Sequence, residues 1–101
     1  MSEVRISISK DKIADFCKQN QVRRLSLFGS ILREDFGPDS DIDILVEFEP
    51  GTRMGLIRLS GLEIELGKII GREVDLNTPG LLSKYFRDQI LAEADVQYDA
   101  A

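Results

Sequence analysis

The sequence predicts a small α/β (α+β) domain in which a small mixed β-sheet is flanked by helices. Short stretches of alternating apolar and polar residues, typical of strands, are separated by stretches in which apolar residues recur every three or four positions, typical of helices. The chain has 101 residues, of which 43% are hydrophobic, and this composition fits a single globular domain over residues 1–101.

The first elements are a helix and a strand. Ser9 is expected to cap a helix over residues 10–20, because a serine oxygen can accept from the free N–H groups of the first turn. Residues 22–28 predict a strand, which ends at Gly29-Ser30. A short helix is expected from Ser30 to about Asp35. The apolar face of the first helix is formed by Ile13, Phe16 and Cys17.

The clearest strand covers residues 41–48. Its residues alternate, and successive strand side chains point to opposite faces of a sheet, so one face is apolar and the other acidic. The apolar face carries Ile42, Ile44, Val46 and Phe48, and the acidic face carries Asp41, Asp43 and Glu47.

Four more elements follow. An amphipathic helix is predicted to end near Gly71, and its apolar positions are Leu56, Leu59, Leu62, Leu66 and Ile69. Residues 72–76 predict a short strand with Asp75 on its polar side. A last helix is expected from Leu81 to about Ala94, with an apolar stripe of Leu82, Tyr85, Phe86 and Ile90. Val96 and Tyr98 are expected to add a final strand.

Charge and residue usage exclude several classes of function. A net charge of −5 without a basic stripe argues against direct binding of nucleic acid. One cysteine and no histidine exclude an internal disulfide, the usual zinc sites and histidine-dependent nucleophilic catalysis, and Cys17 is expected in the core. No apolar run approaches the ~18 residues of a membrane span, so we expect no membrane partner and a cytoplasmic protein.

Asp41 and Asp43 are the first candidates for chemistry. They are two residues apart on a predicted strand, so they share a face with Cα atoms about 6.5 to 7 Å apart. Mg²⁺ is usually held by one or two carboxylates together with water and substrate phosphates. A pair of ions, about 3.5 to 4 Å apart, would fit between the two aspartates.

The Gly29-Ser30 turn is a candidate phosphate site. Glycine allows a close approach of the backbone, and the free N–H groups at the start of a helix favour a phosphate. Arg33, one turn later, is expected either to reach the phosphates or to pin the loop through Asp35 or Asp39, and the sequence does not decide between these roles.

Asp75 is the third candidate carboxylate. If its strand pairs beside residues 41–46, Asp75 can complete a triad that binds the metal and takes a proton from an attacking hydroxyl. An isolated Asp-x-Asp is more often a solvated strand end. The combination of Gly-Ser after an apolar strand, an arginine three residues later and Ser-Asp-x-Asp opening a second apolar strand favours a site.

These residues together resemble a known signature. Gly29-Ser30, Arg33 and Ser40-Asp41-Ile42-Asp43 resemble the motif of the DNA polymerase β-like nucleotidyltransferase superfamily, and the length resembles its minimal nucleotidyltransferase branch. The resemblance implies the polymerase β-like fold. It also implies that Gly29 and Ser30 contact the nucleotide phosphates, and that three carboxylates, Asp41, Asp43 and Asp75, bind two Mg²⁺ ions and act in catalysis. Arg33 and Ser40, in the same motif, are further candidates for binding the nucleotide.

The resemblance also implies a function. Members of the minimal branch are commonly antitoxins paired with a HEPN-domain toxin, so we expect transfer of AMP from ATP to a tyrosine hydroxyl of such a toxin. Two alternatives stay open. One is an antitoxin that acts by binding without catalysis, and the other is an enzyme that modifies a small molecule.

Overall fold

The computed structural model of the chain describes residues 8–32, 37 and 40–100, and of Ser30 only the backbone. Helices and strands alternate along this part of the chain, as the sequence predicts. In order, they are α1 (Lys10–Gln19), β1 (Val22–Phe28), a 3₁₀ turn (Gly29–Leu32), β2 (Ile42–Phe48), α2 (Leu56–Ile70), β3 (Val74–Asn77), a 3₁₀ turn (Pro79–Leu81), α3 (Arg87–Glu93) and β4 (Asp95–Asp99).

The described strands form one mixed sheet in the order β3-β2-β1-β4. β1 pairs antiparallel with both β2 and β4, whereas β3 runs parallel to β2. Parallel neighbours need a crossover connection, and α2 provides it between β2 and β3. The predicted mixed sheet with flanking helices is therefore confirmed.

The main core lies on one face of this sheet. Alternate residues of β1 and β2 point to it and are covered by α1 and α2, which removes apolar surface from water at about 25 cal/mol per Å². Cys17 lies in this core, as predicted, and burial raises the pKa of its thiol to about 12. The core comprises Ile13, Phe16, Cys17, Val22, Leu25, Leu27, Ile31, Ile42, Ile44, Val46, Leu59, Leu62, Leu66 and Leu76.

The second face of the sheet carries the polar residues of the central strands. Ser26 and Leu45 pair across β1 and β2 on this face and are also buried. Arg24, two residues before Ser26 on β1, forms ion pairs with Glu47 on β2 at 3.5 Å and with Asp99 on β4 at 3.3 Å. Part of the second face is therefore buried, and part of it is covered by ion pairs.

The ends of the two longer helices follow from local sequence. Ser9 caps α1, and its Oγ accepts from the Lys12 N–H, as predicted. Gly71 ends α2 in the left-handed conformation with φ +80, which glycine adopts without the steric cost of a side chain. Leu56, however, is 70% exposed and does not join the core as the apolar spacing predicted.

Three predicted boundaries were wrong by a few residues. The short helix expected from Ser30 begins one residue earlier as a 3₁₀ turn, and its expected end at Asp35 lies outside the described residues. β2 begins at Ile42, so Asp41 lies just before the strand. β3 begins at Val74, where pairing with β2 starts, rather than at Arg72.

The predicted helix over residues 81–94 was wrong in its first half. Leu82 is extended with ψ 145, and α3 begins only at Arg87. The side chains of Tyr85 and Phe86 are 82% and 59% exposed, so they pack against little of the described part of the chain. Helices of this length depend on such packing. The final strand with Val96 and Tyr98 is confirmed as β4.

None of the helices in the described ranges has the length and apolarity that crossing a bilayer requires.

Candidate active site

Two candidate carboxylates lie next to each other on neighbouring strands. In the parallel ladder of β2 and β3, Asp43 is the direct partner of Asp75, which corresponds to strands about 4.8 Å apart. The condition on which the role of Asp75 depends, that its strand pairs beside that of Asp43, is thus met. Asp43 is half-buried and Asp75 is exposed, so the pair faces a surface that a substrate can reach.

Gly29 lies next to Asp43 on the side away from Asp75. Phe28, the residue before it, is the partner of Asp43 in the antiparallel ladder of β1 and β2. A Cβ added at Gly29 would lie 3.1 Å from Asp43 Cγ and would overlap Asp43 Oδ2, and the φ of Gly29 is +75. Two features favour glycine at this position. The backbone is left-handed, and a larger side chain would collide with the carboxylate of Asp43.

Asp41 follows a turn that side chains hold closed. Ser40 Oγ accepts from the Gly37 N–H at 3.0 Å, and the Ser40 N–H donates to the Gly37 carbonyl at 3.1 Å. Arg72 Nη2 donates to the carbonyls of Gly37 and Ser40 at 2.9 and 2.7 Å. The guanidinium of Arg72, which lies two residues before β3, therefore fixes the turn that leads into Asp41.

Glu63 supports the other carboxylate strand. β3 is the outermost strand of the described sheet on this side, and Glu63 of α2 accepts from the Leu76 N–H through Oε2 at 2.8 Å. Leu76 directly follows Asp75. A side chain of α2 thus satisfies a backbone donor on the strand that carries Asp75 and links that strand to the helix.

The structure brings the three predicted carboxylates together only in part. Asp43 and Asp75 are paired, whereas Asp41 is exposed at the end of the turn. Within residues 8–32, 37 and 40–100, no three acidic, cysteine or histidine side chains are grouped closely enough to hold a metal ion. The paired carboxylates nevertheless fit Mg²⁺, which prefers oxygen ligands and takes the rest of its shell from water and phosphates.

The structure describes three of the four residues that were predicted to bind phosphate. Gly29 and the backbone of Ser30 open the 3₁₀ turn directly beside Asp43. The hydroxyl of Ser40 takes part in the turn before Asp41. Arg33, with its two possible partners Asp35 and Asp39, lies outside the described residues.

Arg72 and Glu63 were not predicted from the sequence. Each contacts backbone far away along the chain, 32 residues for Arg72 to Ser40 and 13 for Glu63 to Leu76. Arg72 falls within the predicted strand of Asp75 and Glu63 within the predicted helix before it, and charged residues in such elements are usually solvated.

Sequence comparison identifies relatives over nearly the whole chain. The family model described as nucleotidyltransferase domain matches residues 10–96. A protein of Methanocaldococcus jannaschii named "Putative protein adenylyltransferase" is 40% identical over 91 residues, which cover 90% of this chain and 96% of that protein. Protein adenylyltransferase MntA of Thermococcus cleftensis is 36% identical over 72 residues, 71% of each chain.

Solved structures share the fold. A toxin-antitoxin structure with AMP-PNP superposes with a TM-score of 0.74 at 22% identity, and the match covers 91% of this chain and 74% of that one. A tri-AMPylated Shewanella oneidensis HEPN toxin in complex with its MNT antitoxin gives a TM-score of 0.66 at 23% identity, over 89% and 69% of the two chains. These likenesses confirm the predicted fold, and the family match confirms the predicted class of enzyme. The chain therefore belongs to the nucleotidyltransferase domain family.

Proposed function

We propose that this chain is an antitoxin enzyme, which transfers AMP from ATP to a tyrosine hydroxyl of a HEPN-domain toxin and so neutralises it. The observation that carries the proposal is the pairing of Asp43 with Asp75 directly beside Gly29. The reaction is supported by the relative named protein adenylyltransferase, and the partner by the HEPN toxin complex of the same fold.

The carboxylates would hold the metal. Asp41, Asp43 and Asp75 are the residues proposed to bind two Mg²⁺ ions, and all three supply the hard oxygen ligands that this ion prefers. When bound, Mg²⁺ neutralises the triphosphate and stabilises the charge that develops on the leaving pyrophosphate. Asp41 and Asp75 are exposed, so their side chains can turn toward the half-buried Asp43 at little cost.

The chain's own residues bind the donor and handle the proton. Gly29, Ser30, Arg33 and Ser40 are proposed to bind the phosphates, and Gly29 presents bare backbone beside Asp43. As the tyrosine oxygen bonds to the α-phosphorus, the bond from that phosphorus to the pyrophosphate oxygen breaks. The hydroxyl proton passes to a carboxylate oxygen of Asp75. Asp75 suits this role because it is exposed on the outermost strand, where a partner can reach it.

The proposal is tested by incubating the protein with ATP labelled at the α-phosphate, Mg²⁺ and a HEPN toxin. We expect label on the toxin with the native chain and none with Asp43→Asn, which removes the negative charge but keeps the shape of the side chain. Asp15→Asn is the matched control, because Asp15 is an exposed aspartate on α1. Normal labelling by Asp43→Asn would refute the role assigned to this residue.

A second candidate function is inhibition of the toxin by binding alone. It is favoured by exposed apolar side chains on the described surface, among them Ile57 at 92% and Tyr85 at 82%, because such groups often mark protein interfaces. The same incubation separates the two functions. Inhibition of the toxin without transferred label would support binding alone and would contradict the proposed transfer.

A further inference from the structure

A cavity of about 240 Å³ opens beside the candidate active site. It shares Gly29 with the predicted phosphate turn, and its other wall is formed by α3 and the residue before that helix. The cavity is lined by Phe28, Gly29, Phe86, Gln89, Ile90 and Glu93. None of these residues except Gly29 has a role in the function proposed above.

The sheet register places this cavity on one side of the carboxylates. Phe28, Asp43 and Asp75 are consecutive partners across β1, β2 and β3, and directly paired residues point to the same face of a sheet. They therefore form a row with Asp43 in the middle. The cavity lies at the Phe28 end of this row, and Asp75 lies at the opposite end.

The geometry of nucleotidyl transfer assigns different roles to the Phe28 end and the Asp75 end of this row. In an in-line displacement, the attacking oxygen and the leaving oxygen lie on opposite sides of the phosphorus. If Asp75 takes the proton of the acceptor, the acceptor enters at the Asp75 end. The leaving pyrophosphate then lies at the Gly29 end, beside the phosphate turn. The cavity adjoins this end, and the residues that line it include a carboxylate and no cationic side chain. The uncharged nucleobase of the donor therefore suits the cavity better than its phosphates do.

From this geometry we propose that the cavity holds the nucleobase of the donor nucleoside triphosphate. The inference rests on the proposed function and extends it, because it assigns a binding site for the part of the substrate that does not react. The ring of Phe86 is the stacking surface, and Ile90 extends the apolar wall beside it.

The lining residues suit a base in two respects. Phe86 is 59% exposed although it is aromatic, and a flat π-face of this kind stacks on any nucleobase. Gln89 Nε2 donates to Glu93 Oε1 at 3.3 Å on the surface of α3. An amide and a carboxylate at the rim offer both a donor and acceptors, which the polar edge of a base requires.

The test compares two neighbouring aromatic residues. Phe86→Ala removes the proposed stacking surface, and Tyr85→Ala removes an even more exposed ring that does not line the cavity. Dissociation constants are measured for ATP and for inorganic tripolyphosphate, which carries phosphates but no base, with Mg²⁺ present. We expect Phe86→Ala to weaken ATP binding by about 5- to 150-fold, and to leave tripolyphosphate binding and the circular dichroism spectrum unchanged.

Gln89→Ala provides a second, milder variant at the rim of the cavity. It should reduce the ratio of the affinity for ATP to that for CTP or UTP, because base-specific hydrogen bonds are lost while stacking remains. Equal ATP affinities for Phe86→Ala and Tyr85→Ala would overturn the inference. So would an effect of Phe86→Ala only on the Michaelis constant for the toxin, because the cavity would then hold the acceptor.

The inference and the proposed function can fail separately. If ATP binding depends on Phe86 but no label reaches the toxin, the nucleobase site stands and the transfer reaction is wrong. If label reaches the toxin and ATP binding does not depend on Phe86, the transfer reaction stands and the nucleobase site is wrong.

Discussion

Replacing Gly29 with alanine should separate the cost of a strained backbone from the loss of a catalytic carboxylate. The three atoms nearest to an added Cβ at Gly29 would all belong to the side chain of Asp43. Because that side chain can rotate, the clash can be relieved without unfolding. When the side chain rotates, the carboxylate of Asp43 is expected to move away from its position opposite Asp75.

The stability change can be worked out from the backbone. A residue with a Cβ in the left-handed region costs about 1–2 kcal/mol. One kcal/mol shifts the melting temperature of a domain of this size by roughly 4–8 °C, so Gly29→Ala should lower it by about 4–16 °C. The rate of transfer should fall by about 100-fold, because displacement of a reacting group by about 1 Å can lower the rate by that factor.

Gly51→Ala is the matched control. Gly51 has φ +85, close to that of Gly29, and a Cβ added there would meet no atom of the described residues within 4 Å. We expect both variants to lose similar stability in thermal denaturation. At a temperature where both are folded, Gly51→Ala should label the toxin at the native rate and Gly29→Ala about 100 times more slowly. Equal labelling rates for the two variants would show that the Asp43 carboxylate need not lie beside Gly29.

Two further predictions concern residues outside the row of carboxylates. Arg72→Ala should lower kcat/KM by about tenfold or more, because it removes two hydrogen bonds from a charged donor to the turn before Asp41. Arg58→Ala, on the exposed side of α2, is its control, and a lower melting temperature with unchanged kcat/KM would limit Arg72 to a structural role. Because burial raises the pKa of Cys17 from 9.0 to about 12, its contribution to stability is complete below pH 9 and is lost as the pH rises toward 12. In urea denaturation, the stability advantage of the native chain over Cys17→Ala should shrink by about 2 kcal/mol between about pH 8 and about pH 10.5, and a constant advantage would contradict the buried neutral thiol.

The sequence predicted best those elements whose periodicity agrees with their packing. β1 was predicted at its observed bounds, Val22–Phe28, because its alternating residues lie between a helix end and a glycine turn. The stretch from Leu81 to Ala94 shows the opposite case. Its apolar spacing is helical, but Tyr85 and Phe86 remain mostly exposed, and the periodicity alone does not reveal whether a packing surface exists.

The candidate site was predicted residue by residue, but its supports were not. Asp43 and Asp75 stand in recognisable strands, so their shared face follows from side-chain alternation once the strands pair. The clamp from Arg72 to Gly37 and Ser40 depends on how the turn folds back in three dimensions. Side-chain contacts to distant backbone leave no periodic signal in a sequence, so only the structure could reveal this one.

The topology of the sheet explains why the site forms at one edge. β1 and β2 are antiparallel, so the glycine turn after β1 lies beside the start of β2. β3 is parallel to β2, so its start lies at the same edge and brings Asp75 opposite Asp43. Because strand side chains alternate, a slip of β3 by one residue would turn Asp75 toward the core and Leu76 toward the substrate. Burial of Leu76 in the core and its hydrogen bond to Glu63 both oppose that slip. The register that stabilises the fold is therefore the same register that keeps the two carboxylates paired.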